Sequence, residues 1–159
     1  MEQKEYTPDD KDLIILKMLQ EDSSQPIAQI ARADGVKLSA PSVYERIKKM
    51  KESGIIKKYT VLLDDKKLGK DITTFILITQ DYKEYDPNVI VSKEVANMEG
   101  VLEVFHLAGD EDLLIKVKTE NISTLEDLII KINRLRGVGR TRTIIALRTE
   151  KEDTSLACC

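Results

Sequence analysis

Basic side chains gather in one part of this chain, where they could bind phosphate oxygens through charge-assisted hydrogen bonds. Residues 37–70 hold ten Lys and Arg residues against four Asp and Glu residues, although the formal net charge of the whole chain is only −3. Residues 81–127 hold twelve acidic residues against four basic ones. This split predicts that one half alone contacts a polyanion. Ordinary solvated surface charge is the alternative that charge alone leaves open.

A short amphipathic helix must position these basic side chains. Residues 38–59, LSAPSVYERIKKMKESGIIKKY, predict a helix that is capped by Ser39, ended by Gly54 and followed by the start of a β-hairpin. Leu38, just before the cap, can pack against Val43, the fourth residue of the helix, as a hydrophobic staple. Apolar residues share one face at helical spacing: Val43, Ile47 and Met50. A helix this short is not stable alone, so it must pack on the residues before it.

Two further helices are predicted before the basic one. The first begins at Thr7-Pro8, with Thr7 as a candidate cap, and runs to about Gln20. The second covers Ile27–Ala33 and is followed by the turn Asp34–Lys37. Three helices with a short turn between the last two predict a helix-turn-helix. A strand over Ile55–Leu63 is then expected to follow the three helices and lead out of the helix-turn-helix.

The second half predicts a different architecture, β-α-β-β-α-β, which is the ferredoxin-like split βαβ arrangement. The predicted strands are Ile72–Thr79, Val101–Ala108, Leu113–Thr119 and Val138–Arg148. The predicted helices are Val89–Met98, capped by Asp86-Pro87-Asn88, and Thr124–Arg136, started by Asn121 or Ser123. Such a sheet carries its helices on one face. We expect the other face, where it is apolar, to be covered by another copy of the chain.

The predicted fold class is therefore α+β, with an N-terminal helix-turn-helix domain and a C-terminal ferredoxin-like domain. The expected boundaries are a helical domain with its exit strand over 1–63, a linker over 64–71, the βαββαβ domain over 72–150 and a polar tail over 151–159. The only cysteines, Cys158 and Cys159, are adjacent and cannot join distant parts of a core. We expect no structural disulfide, no signal peptide and no membrane span, hence a cytoplasmic protein.

Several segments in this order and spacing resemble the Lrp/AsnC family of feast/famine transcription regulators. They are DDKDLIILKMLQ, IAQIA, LSAPSVYERIKKMKESGIIKKYTVLLD and GDEDLLIKV, within about residues 8–149. The resemblance implies a winged-helix-like helix-turn-helix that binds double-stranded DNA, and a βαββαβ domain that binds free amino acids and forms dimers and often octamers. It implies no cofactor. The turn ARADGVKLS is two residues longer than the family's, which affects the angle between the second and third helices.

The resemblance assigns the third helix to the major groove, where the N-terminal part of such a helix reads base edges and flanking groups hold phosphates. The candidate groove-facing residues are Ser39, Ser42, Tyr44, Glu45 and Arg46, and the candidate phosphate contacts are Lys37, Lys48 and Lys49. Arg46 could instead pair internally, as an Arg here often does in the family. Ser39 could act only as a cap, and Tyr44 could pack against the protein.

The turn Gly109-Asp110-Glu111-Asp112-Leu113 resembles the family's Gly-x-x-Asp-x-Leu signature, which lies at the effector site of relatives. The resemblance implies effector contacts by Gly109, Asp110, Asp112 and Leu113, with Thr141 and Thr143 adding hydroxyls. A carboxylate suits an effector's ammonium group, and turn N–H groups suit its carboxylate. The alternative is that Gly109 and Asp112 only build the turn.

Two other functions remain open from the sequence. Enzymes of the same two-part architecture, the sirohaem decarboxylases, use histidine, and His106 is the one histidine of this chain. A second histidine for acid–base chemistry is missing, and no Cys/His cluster predicts a metal site. The third hypothesis is an effector-sensing assembly protein whose helical domain does not read DNA, which the longer turn alone supports.

Overall fold

The structure is a computed structural model that describes residues 6–81, 90–153 and 155–156. The chain divides into two compact units. The helical unit contains the described residues up to Leu62 together with those from Glu152 onward, and the sheet unit runs from Leu63 to Lys151. No helix among the described residues has the length and apolar content needed to cross a membrane.

The helical unit contains the three predicted helices: α1 (Asp10–Glu21), α2 (Ile27–Arg32) and α3 (Ala40–Glu52). The prediction that Thr7 caps α1 is wrong. Asp9 is the N-cap, because its carboxylate accepts a hydrogen bond from the Asp12 N–H while the Asp12 carboxylate accepts one from the Asp9 N–H. This reciprocal capping box satisfies two backbone donors at once, which a lone Thr7 hydroxyl cannot do.

The core of the helical unit is aliphatic and is formed by residues from all three helices and the turn between α2 and α3. Its fully buried members include Ile15, Ile30, Val43 and Met50. Val36, one of the two extra turn residues, is also fully buried, while Lys37 beside it adopts a positive φ of 43°. The longer turn is therefore accommodated by placing one extra side chain in the core and one residue in a left-handed conformation.

The predicted exit strand over Ile55–Leu63 and its hairpin are absent from the described structure. These residues are not paired in a β-ladder, and Val61, Leu62 and Leu63 expose 76%, 78% and 63% of their surface. A strand needs a neighbouring strand to satisfy its backbone groups, and no described segment of the same chain supplies one here. A short 3-10 turn, Lys66–Leu68, follows and leads into the sheet.

The sheet unit has the predicted β-α-β-β-α-β order. Its elements are β1 (Ile72–Gln80), α4 (Val91–Ala96), β2 (Val101–His106), β3 (Leu113–Thr119), α5 (Ile122–Asn133) and β4 (Val138–Ile145). The strands are antiparallel in the order β2-β3-β1-β4. Strands β2 and β4 end earlier than predicted, at His106 and Ile145, because their later residues have no ladder partner. The predicted cap at Asp86–Asn88 lies outside the described residues.

Strand parity divides the sheet into a covered face and an open face. Ile76, Ile78 and Ile115 lie on the covered face and pack on buried residues of α4 and α5. The open face carries an apolar row formed by register partners on three strands: Phe105 opposes Leu114, which opposes Leu77. Phe75 and Ile144 form a second pair beside it. Within the sheet unit, α4 and α5 pack on the other face, and Phe105 and Ile144 of the open face are each 46% exposed.

Candidate nucleic-acid interface and effector turn

The outer face of α3 carries the residues predicted to contact nucleic acid. The side that faces the core holds Val43, Ile47 and Met50, so the opposite side of the helix faces solvent. Exposed residues there include Ser42, Tyr44, Glu45, Lys48 and Lys49. One exposed helical face therefore presents two adjacent ammonium groups together with hydroxyl and carboxylate groups, which is the chemistry of phosphate and base-edge contacts.

Arg46 occupies a different position from its exposed neighbours on α3. Its Nη1 donates to Asp9 Oδ2 at 2.7 Å and to Asp12 Oδ1 at 2.9 Å. The Arg46 side chain is 29% exposed and that of Asp12 is 1% exposed. The structure therefore favours internal pairing over the predicted base contact, because this guanidinium joins α3 to the first turn of α1.

The ion pair belongs to a network that also includes Tyr6, whose hydroxyl donates to Asp12 Oδ2 at 2.7 Å. Burial and this hydrogen bond to Asp12 raise the pKa of Tyr6 to about 12. Hydrogen bonds from the Asp12 N–H and from the guanidinium hold the pKa of Asp9 below its usual range, and hydrogen bonds to Asp12 and Asp9 raise that of Arg46. The Asp9 carboxylate and the Arg46 guanidinium are therefore stabilised in their charged forms, and α3 is held by charge as well as by packing.

The hydroxyls at the start of α3 are already hydrogen-bonded within the chain. Ser39 is the N-cap, and its Oγ accepts from the Ser42 N–H at 3.3 Å and lies 2.8 Å from Ser42 Oγ. Both residues remain exposed, so each oxygen can still accept or donate toward an outside partner. Lys37 lies 3.4 Å from Asp34, and both side chains are highly exposed.

A groove of about 700 Å³ lies beside α3 within the helical unit. Its floor is apolar and includes Ile30 and Ile47, and its rim carries Tyr44, Lys48 and Lys51. The Lys51 ammonium lies 6.0 Å from the centre of the Tyr59 ring. Tyr44 lines this groove and is 54% exposed, so its ring is accessible from solvent.

The predicted effector turn lies at the start of β3, and Asp112 has a structural role there. Its Oδ2 accepts from the Gln80 N–H at 2.6 Å, and its backbone N–H donates to the Ile78 carbonyl at 2.9 Å. Asp112 thereby joins the last residues of β1 to the turn. Gly109 and Asp110 are exposed. Asp112 therefore helps to build the turn, while Asp110 is an exposed carboxylate of the turn.

The other predicted effector residues point elsewhere. Leu113 is fully buried in the core, so only its backbone could contact a ligand. Thr141 opposes Ile78 and Thr143 opposes Ile76, which places both threonines on the covered face of the sheet. Thr141 Oγ1 donates to Asn133 Oδ1 of α5 at 3.0 Å. The two threonines therefore lie on the opposite sheet face from Arg142, which reaches the turn through Glu111.

An ion pair that the sequence did not indicate joins the turn to β4. Arg142 Nη2 donates to Glu111 Oε1 at 2.7 Å across β1, which lies between them. The alternation of side chains along β4 predicts which residues share a face with Arg142. The pairing of β4 with β1, which brings Arg142 close to Glu111, cannot be derived from residue spacing. The family resemblance offered internal pairing of Arg46 as an alternative, but spacing could not identify Asp9 and Asp12 as its partners, because both lie more than 30 residues before it.

His106 ends β2 and is exposed. Among the described residues, no group of three or more His, Cys, Asp and Glu side chains is arranged to hold a metal ion.

Comparison with known proteins gives consistent matches to both units. A family model described as the AsnC-type helix-turn-helix domain matches residues 9–51, and one described as the Lrp/AsnC ligand binding domain matches residues 73–156. The HTH-type transcriptional regulator FL11 of Pyrococcus horikoshii is 35% identical over 148 residues, covering 93% of this chain and 95% of FL11. The regulatory protein AsnC of Haemophilus influenzae is 32% identical over 142 residues, covering 88% and 91%.

Solved structures show the same arrangement of elements. The structure of AsnC from E. coli superimposes with a TM-score of 0.84 at 28% identity, covering 94% of this chain and 99% of that one. The complex of the transcriptional regulator NMB0573 with L-Met, from Neisseria meningitidis, superimposes with a TM-score of 0.82 at 23% identity, covering 94% and 96%. Because NMB0573 is only 23% identical, its likeness to this chain concerns the fold alone.

Proposed function

This chain belongs to the Lrp/AsnC family, and from that premise we propose that it is a DNA-binding transcriptional regulator that acts in the cytoplasm as a homo-oligomer and responds to a free amino acid. The observation that carries the proposal is the exposed basic face of α3, which the Arg46 ion pairs and the aliphatic core hold on the helical unit. A rigid helix with an exposed polar and basic face is what major-groove readout requires.

We assign the DNA contacts to two groups of α3 residues. Lys48 and Lys49 are exposed at the middle of the helix and suit phosphate contacts. Ser42 and Glu45, nearer its N-terminus, suit contacts with base edges. Lys37 and Ser39 flank the helix start and suit the adjacent backbone, whereas Arg46 positions the helix.

A binding experiment with salt titration tests this assignment. Full-length protein is titrated against duplex fragments of its own genomic DNA, with binding followed by fluorescence anisotropy from low to moderate salt. Each lost phosphate contact lowers the slope of log K against log salt by about 0.9, so Lys48→Ala/Lys49→Ala should lower it by roughly 2. The matched control, Lys17→Ala/Lys131→Ala, removes two exposed lysines from α1 and α5 and should leave the slope unchanged.

Two outcomes would contradict the proposal. Equal slopes for the two double variants would show that α3 does not hold phosphates. Absence of any retained duplex at low salt for the wild-type protein would refute DNA binding itself and would favour an assembly protein without DNA readout.

We propose that copies associate through the open face of the sheet. Phe105 and Ile144 each expose 46% of their surface there, beside Phe75, Leu77 and Leu114. An apolar sheet face of this kind gains free energy when a second copy removes it from water. Two α3 helices per dimer would then read half-sites about one DNA turn apart, or a multiple of it. Light scattering of the wild-type protein and of Phe105→Asp, which should dissociate, measures this association.

We propose that the effector is a free amino acid that binds at the turn Gly109–Asp112. The family resemblance supports the location, and the L-Met complex of NMB0573 supplies a fold-level precedent. Calorimetric titration of the wild-type protein with each of the twenty amino acids tests it. Binding of one of them, accompanied by a change in oligomer size or DNA affinity, is the expected result.

A further inference from the structure

The three acidic residues of the effector turn are in different situations. Glu111 is 19% exposed and accepts a hydrogen bond from Arg142. Asp112 accepts one from the Gln80 N–H and is partly buried. Asp110 is exposed. The first two carboxylates are therefore used to build the turn, and Asp110 is the one best placed to meet a cation from outside.

The β4 arginines approach this turn along the open face. Arg142 opposes Leu77 on β1, and its guanidinium crosses β1 to reach Glu111. Arg140 lies on the same face and opposes Thr79, two residues farther toward the turn. Because a strand rises about 3.3 Å per residue, Arg140 starts about 7 Å nearer the level of the turn. A side chain of the same length can therefore reach it.

A β-bulge lies directly beside Arg140. Thr79 opposes Arg140 while Gln80 opposes Val138, so Gly139 is the extra residue of β4. A Cβ atom on Gly139 would lie 3.1 Å from the Thr79 carbonyl oxygen, so any other residue here would have to push the two strands slightly apart. Bulges change the direction of neighbouring side chains and are frequent beside binding sites. Arg140 is exposed and takes part in no ion pair between described residues.

We propose that Arg140 is the carboxylate-binding residue of the effector site and that Asp110 binds the effector's ammonium group. The inference rests on the effector response proposed above and adds the ligand class: a zwitterionic α-amino acid with a free carboxylate. A guanidinium binds a carboxylate through two parallel hydrogen bonds, which a threonine hydroxyl cannot match. The Glu111–Arg142 ion pair neutralises the second arginine, so the carboxylate is directed to Arg140.

Calorimetry with paired ligands tests the assignment. The amino acid that the wild-type protein binds is compared with its own α-carboxamide, which keeps the ammonium group and side chain but removes the negative charge. Hydrogen bonds to charged groups predict that Arg140→Ala weakens binding of the amino acid roughly 10- to 100-fold. The carboxamide should bind the wild-type protein and Arg140→Ala with equal affinity, and Arg140→Lys should recover part of the loss.

A matched variant and a folding measurement control the experiment. Arg134→Ala removes an exposed arginine from the C-cap of α5, in the helical layer, and should leave both affinities unchanged. Thermal unfolding of Arg140→Ala should match the wild-type curve, because no described ion pair is lost.

The outcomes separate the two proposals. An amino acid that binds the wild-type protein and Arg140→Ala equally well would overturn the assignment of Arg140 and leave the effector response standing. A carboxamide that loses as much affinity as the amino acid in Arg140→Ala would also overturn it. Absence of binding by any of the twenty amino acids to the wild-type protein would refute the effector response and this inference together.

Discussion

Replacing Arg46 with methionine removes the guanidinium that joins α3 to α1 and leaves an unbranched side chain that can still cover the core. In Arg46→Met the Asp12 carboxylate stays buried, with only the Tyr6 hydroxyl at 2.7 Å and the Asp9 N–H at 3.1 Å as partners. Deleting one partner of a fully buried ion pair costs about 3–5 kcal/mol. A single hydrogen bond to a charged group contributes about 1.5–3 kcal/mol.

The expected decrease in the unfolding free energy lies between these limits because the Arg46 site is only partly enclosed. Arg46 is 29% exposed and Asp9 is 53% exposed, so water can replace some of the lost contacts. Asp12, at 1% exposure, has little access to water. We therefore expect Arg46→Met to lower the unfolding free energy by about 2–3 kcal/mol. For a unit of this size that is a decrease in Tm of roughly 10–20 °C.

Circular dichroism of the full chain measures the helical transition, and hydrogen exchange of α1 and α3 amides assigns the loss to the helical unit. Lys48→Met removes the same charge from an exposed position of the same helix and should change the unfolding free energy by less than about 0.5 kcal/mol. Asp12→Asn completes a double-mutant cycle, in which a coupling of at least about 1 kcal/mol is expected.

One result would refute the reasoning. If Arg46→Met unfolds within about 2 °C of the wild-type protein and yet loses affinity for specific DNA sites more than for other duplexes, Arg46 reads bases and the internal pairing is incidental.

Three further predictions concern single contacts. Asp112→Ala should lower the unfolding free energy by about 1–2 kcal/mol in urea titrations, because the Gln80 N–H loses its acceptor; Asp112→Asn keeps an acceptor oxygen and should recover most of it. The folded-state pKa of Asp9 is lowered, so its stabilising contribution is present above its unfolded-state pKa of about 3.9 and is lost as the pH falls below it. Asp9→Asn, which keeps a capping oxygen, should therefore show a smaller loss of stability between about pH 4 and pH 2, and an equally steep loss would contradict the ion pair. Ser39→Ala should cost about 1 kcal/mol by removing the α3 cap, whereas Ser39→Gly should cost only a few tenths, as measured by thermal unfolding.

Local rules explain why much of the fold could be predicted. The start of α3 follows from Ser39 and its end from Gly54, because capping acts within a few residues. Six of the strand boundaries in the sheet unit agree within one residue with those expected: both ends of β1, the start of β2, both ends of β3 and the start of β4. The strand expected over Ile55–Leu63 did not form, because a strand depends on a partner that the sequence pattern cannot supply.

The amino-acid sequence by itself determined the order of elements, the family resemblance and the separation of a basic half from an acidic one, because periodicity, caps and charge are local properties. The tertiary structure decided which charged groups are available for binding. Arg46 and Lys48 are two residues apart on one helix, yet only the fold brings Asp9 and Asp12 against the first and leaves the second in solvent. Likewise the pairing of β4 with β1 places Arg140 and Arg142, and not Thr141, on the face of the effector turn. Such contacts join residues that are far apart in the chain, so only packing in three dimensions can specify them.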